Sequence, residues 1–184
     1  FPSLPLKKKI FFIPIIVDES KNQILMFSES PLFNYWNSNV KKYHLLEYVL
    51  PTEDLEDYNI IKLNSKNLED YDFEEIIKKY NLKDYIIAII FKNDNEVRVL
   101  NKINFKEKID LKNLRFNNLR LDDNLEIKKF SENLKKIYEN YWKSKNEINT
   151  SIKLSLTVSI KNNDNFKISE FEEILTNIDL IYNF

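Results

Sequence analysis

The stretch "KKKIFFIPIIVDES", residues 7–20, runs apolar from Ile10 to Val17 behind a lysine cluster, and three kinds of segment share that outline. A cleaved export signal would need small residues after the apolar run. The chain has one alanine, Ala88, and no glycine, and Val17, Asp18, Glu19 and Ser20 make a poor peptidase site. A membrane-spanning helix needs about 20 apolar residues, far more than this run supplies. An Ile-, Phe- and Val-rich run of this length, closed by Asp18-Glu19-Ser20, fits a central strand buried on both faces. Pro14 donates no ladder hydrogen bond, so the strand is expected to carry a bulge or a local gap in pairing there.

Outward from this strand, "QILMF" (23–27) reads as a second, short strand. Pro31 is expected to open a helical turn that presents Phe33 and Trp36 on one side. A strand follows at 45–49 and, after Pro51, a short acidic helix. "DFEEIIKKY" is a clear helix: Asp72 can cap it, Glu75 stands three residues later, and Phe73, Ile76, Ile77 and Tyr80 share a face. It leads into "DYIIAIIF", a second wholly apolar strand. "EVRVLNKINF" alternates and completes a hairpin, and "KIDLKNLRF" adds another strand. From Asn124 to Lys145 the three-and-four spacing of Ile127, Phe130, Leu134, Ile137, Tyr138, Tyr141 and Trp142 defines a long amphipathic helix. "SIKLSLTVSI" (151–160) alternates strictly, Ser169 and Glu172 form a capping box, and "IDLIYNF" ends the chain as a strand.

Composition excludes much chemistry. The 184 residues are 43% hydrophobic and 31% charged, with a net charge of −1; this describes a folded globular chain with little electrostatic pull on nucleic acid. Without cysteine there is no thiol nucleophile, thiolate metal site or disulfide. Without glycine there is no Walker loop, dinucleotide fingerprint or nucleophile elbow of the usual form. Tight turns are expected to use Asn and Asp, at 93–95 and 162–164.

The segment "KKIFFIPIIVDESKNQILMFSESPLFNYWNSN" resembles the opening of the proteobacterial domain of unknown function 2066. Ile13-Pro14-Ile15-Ile16 and Ser30-Pro31-Leu32-Phe33 through Trp36 stand at that family's motif positions. "YVLPTEDLEDYNII" is similar to a further family segment, with Pro51, Asp54, Leu55, Glu56 and Asp57 matching and Thr52-Glu53 replacing Leu-Gly. "IIKKYNLKDYIIAII" resembles its helix-to-strand step. The resemblance spans about residues 9 to 180 and departs wherever the family uses glycine. It implies an exported periplasmic or envelope-associated protein of α/β architecture, like the amino-terminal domain of the Tol-Pal protein TolB, with a signal sequence removed ahead of Phe1. It implies no catalytic residues and no cofactor.

Three groups of residues are candidates for function. His44, the single histidine, would need three carboxylates around it to hold zinc, and a partly exposed residue at a strand start is the simpler reading. The acidic cluster Glu53, Asp54, Glu56 and Asp57 offers paired carboxylates but lacks the spacing and glycine of a calcium loop; capping of a helix start explains it more simply. Phe33, Tyr35 and Trp36 form either a recognition patch or a plug at the end of a core.

The expected architecture is α/β, with α+β as the alternative: a mixed sheet with helices packed on it in residues 1–148, followed by a β-α-β unit in 149–184. That unit either joins the first sheet or is an incomplete second domain. The expected function is a non-enzymatic binding or interaction module for a protein or envelope component, without cofactor, metal or nucleic acid and not membrane-spanning. The alternative is a carboxylate-dependent metal hydrolase built on the acidic cluster.

Overall fold

A computed structural model describes residues 7–36, 45–93 and 96–146, together with Ile168, Glu170, Phe171, Ile174 and Leu175. The chain divides into two compact units, Phe1–Glu147 and Ile148–Phe184. In the second, the five described residues are helical. The strands expected at 151–160 and 178–183, the turn at 162–164 and His44 lie outside the described residues.

The first unit is an α/β structure built on a mixed six-stranded sheet. Its strands are β1 (Lys8–Asp18), β2 (Gln23–Leu25), β3 (Leu46–Val49), β4 (Tyr85–Lys92), β5 (Glu96–Phe105) and β6 (Lys108–Asn117). Helices α1 (Pro31–Trp36), α2 (Leu55–Leu63), α3 (Glu74–Lys79) and α4 (Asn124–Asn146) cover it. The order is β2-β1-β4-β5-β6, and β3 also pairs with β1. Strands β3 and β4 run parallel to β1, whereas the pairs β1–β2, β4–β5 and β5–β6 are antiparallel.

The apolar run around Ile13 is indeed central and is covered on both faces. Ile10, Phe12 and Ile16 point into one core with Trp36, Leu134 and Tyr138. Phe11, Ile13 and Ile15 point into the other with Ile61, Phe73 and Ile76. Since β1 and β4 are each sandwiched between helical layers, both read as continuous apolar runs rather than alternating ones. α4, the long amphipathic helix, lays Ile127, Phe130, Leu134 and Tyr138 on the first of these faces.

Pro14 sits in a gap in the ladder. β1 pairs with β3 through Phe11, and its pairing with β2 begins at Ile16. Phe11 N–H donates to Asp84 and Glu19 N–H to Lys92, on the β4 side, while Lys8 N–H donates to Leu45, on the β3 side. Alternation therefore turns the nitrogen of Pro14 towards the edge shared by β3 and β2, between the two, where no strand asks it for a hydrogen.

Turn chemistry differs in part from expectation. Asn22, Asn81 and Asn118 take positive φ, and so do Phe27, Phe73, Lys106 and Glu107. Lys106 and Glu107 form the two-residue β5–β6 turn, whose twist demands positive φ at both positions. Phe27 leaves the second strand at Leu25, shorter than the five residues expected. Asn93 accepts from Glu96 N–H at 2.9 Å.

Candidate functional site

The acidic cluster is organised around a cation from the same chain. Asp54 caps α2 by accepting from Glu56 N–H. This start aims three carboxylates at the Lys79 ammonium in the last turn of α3, at 2.5 Å from Asp57, 3.1 Å from Glu56 and 3.3 Å from Asp54. The hydrogen bond from Lys79 to Asp57, followed by those to Glu56 and Asp54, raises the lysine well above its ordinary range. Asp54 is lowered, first by the Glu56 amide and then by Lys79. Glu53 stands apart from this knot and accepts from the Ser28 hydroxyl at 3.2 Å. The cluster thus pins α2 to α3. Among the described residues, no group of three or more His, Asp or Glu side chains is arranged to hold a metal ion.

The aromatic triplet separates. Trp36 is fully buried, stacked on Phe12 at 4.0 Å and set edge-on to Tyr48 at 5.2 Å. Tyr35 is half-buried against the same core. Phe33 packs towards the opposite core, edge-on to Phe27 at 6.2 Å. Phe33 and Trp36 therefore do not share one side, although three residues separate them: α1 is under two turns long and straddles the sheet edge, so its flanks reach different layers.

Two further polar constellations were not foreseen. Glu139 of α4 accepts from the N–H groups of Leu45 and Leu46 at 3.1 and 2.9 Å, holding the start of β3; burial raises its carboxyl against the pull of these two amides. Lys135, one turn earlier, donates to the Trp36 carbonyl. At the carboxyl end of β1, Asp18 accepts from the Ser20 hydroxyl at 2.6 Å and the Lys21 amide at 3.1 Å, with Lys92 at 3.5 Å. Burial works to raise Asp18, but these partners together leave it lowered.

In open α/β sheets, ligands settle beyond the carboxyl ends of neighbouring strands whose connections leave to opposite faces. Here that place lies between β1 and β3, since α1 follows β1 on one face whereas α2 and α3 follow β3 on the other. Met26 and Phe27, which follow β2, are buried in the second core, and the Ser28 hydroxyl bonds Glu53.

The described concavity of note lies elsewhere, between α2 and α3. It is an open groove of about 450 Å³ lined by Ile60, Leu63, Asn64, Tyr71, Asp72, Glu74 and Glu75. Leu63, at its mouth, is 85% exposed. Asp72 accepts from Glu74 N–H at 3.0 Å, although the residue that turns into α3 is Phe73, at φ 60°. Burial, then Glu75, Asp72 and Asp57, raise the Tyr71 hydroxyl. Sequence reading missed this site, because Ile60 and Leu63 look like one more apolar helix face and the acids look like caps.

No family model matches the chain, and no curated protein matches it. A solved structure described as "Crystal structure of uncharacterized protein" aligns over 78% of this chain and 95% of its own, at 8% identity and a TM-score of 0.26. Among the described residues, no helix is long and apolar enough to cross a membrane.

Proposed function

We propose that the chain is a non-enzymatic binding module whose site is the cleft between α2 and α3, and that its partner is a basic, partly apolar peptide segment of another protein. The observation that carries this reading is the lining of the cleft: Ile60, Leu63 and Tyr71 offer apolar surface while Asp72 and Glu75 add negative charge beside Glu74, which pairs with Lys78. An aliphatic or aromatic anchor flanked by lysines would satisfy both. The alternative of a carboxylate-dependent hydrolase is less well supported, since Asp54, Glu56 and Asp57 already surround the Lys79 ammonium. Placement of the partner in the periplasm or envelope rests on the resemblance to the domain of unknown function 2066.

The test is a titration of the full chain with a lysine-rich amphipathic peptide and an acidic peptide of the same length, followed by amide shifts in NMR. The basic peptide should move the signals of residues 60–75 with a Kd that weakens on adding salt, and Leu63→Glu should weaken it at least about tenfold. Equal response to both peptides, or shifts confined to other residues, contradicts the reading.

A further inference from the structure

Among the described residues strand β6 ends the sheet, and its surface complements itself. Among the described residues its pairing partner is β5. The two-residue turn makes Phe105 and Lys108 the last hydrogen-bonded pair of the hairpin. Backbone groups of Lys108, Asp110, Lys112 and Leu114 therefore face β5, and those of Ile109, Leu111, Asn113 and Arg115 face outward. Ile109 and Leu111 are 58% and 64% exposed, on the sheet face away from α4. On the other face Asp110, Lys112 and Leu114 are half-exposed, and Tyr141 and Lys145 of α4 reach Asp110 there.

We propose that this edge pairs with β6 of a second copy, antiparallel about a two-fold axis through Leu111, joining two sheets into one. Charge selects the register. With the axis at Leu111, Asp110 of each copy, which Tyr141 and Lys145 of its own chain also hold, faces Lys112 of the other, Arg115 falls opposite the turn residue Glu107, and Leu111 meets Leu111. An axis at Asp110 sets Asp110 against itself and Lys108 against Lys112, and one at Lys112 sets two lysines together; an axis at Asn113 makes no ion pair. Like charges directly opposite across a ladder oppose pairing, and opposite charges favour it. In the Leu111 register the outward N–H and C=O groups of Ile109, Leu111 and Asn113 all find partners, which removes the exposed edge.

The chain has no cysteine, so single introduced thiols report the register. A hydrogen-bonded pair across the axis lies about 5.5 Å apart between Cα atoms, within disulfide reach. Ile109 would face Asn113 of the other copy and stand about 13 Å from its own equivalent, out of reach. Under mild oxidation of the full chain, Leu111→Cys is expected to give a covalent dimer of doubled mass. Ile109→Cys alone should stay monomeric, and a mixture of Ile109→Cys and Asn113→Cys chains should crosslink. These side chains are exposed, so the substitutions spare the core, and circular dichroism checks this. Crosslinking at all three positions alike, at none of them, or a wild-type chain that sediments as a monomer at hundreds of micromolar would each overturn the proposal.

Discussion

The ring of Trp36 has no exposed surface and touches Phe12, Tyr48 and Tyr138, residues from two strands and the long helix. Trp36→Ala is expected to cost about 3–5 kcal/mol, the range for deleting a buried aromatic from a core, read as a fall in the denaturation midpoint at unchanged m-value. A loss below about 1 kcal/mol contradicts that role. The sequence distinguished the residue, because an aromatic beside Pro31 is either a plug or a patch, but it could not separate Trp36 from Phe33. Which core a side chain enters depends on where α1 crosses the sheet edge, and no local pattern encodes that. The acidic cluster was legible as a helix start for the same reason that its counter-charge was not: Asp54 bonds the Glu56 amide two residues away, whereas Lys79 lies 22 residues beyond Asp57.

Among elements, β1 and β4 were readable from composition, since burial on both faces removes polar positions. β6 also forms where a further strand was expected, although its apolar residues change face along it, Ile109 and Leu111 lying on the open side and Leu114 and Phe116 on the α4 side. Turns were less so. Asn at positive φ follows propensity, but Phe27 and Phe73 take it because burial of their rings outweighs a backbone cost of about 1–2 kcal/mol. Pro14 offers a test at this scale. Strand propensity alone favours Pro14→Val, yet the new N–H would point into the gap between β3 and β2 without a strand partner. The structure therefore predicts a destabilisation of about 1–3 kcal/mol from that buried orphan donor, measured by chemical denaturation. A stabilised variant would show that the edge closes once the hydrogen is supplied.

For the whole molecule, the charged groups set a pH dependence with a definite sign. Asp18, Asp54, Asp110 and Asp123 are all lowered in the folded state. Their contribution is complete above the ordinary aspartate pKa of 3.8 and is lost as pH falls through the lowered values. Glu139 acts in the opposite sense, since its raised carboxyl favours the fold most below the ordinary glutamate value of 4.5 and that contribution fades as pH rises through its folded pKa. Lowered groups outnumber it, so the thermal midpoint is expected to drop below about pH 4, less steeply in Asp18→Asn; a midpoint level from about pH 5 to pH 2 in both proteins contradicts this. The grip of Glu139 on Leu45 and Leu46, across 94 residues of chain, also orders events during synthesis. Among these elements β1 precedes β4 by some 70 residues of chain, and the clamp on β3 comes later still. Its apolar run therefore stays uncovered until those later elements follow, an interval in which exposed apolar surface favours aggregation.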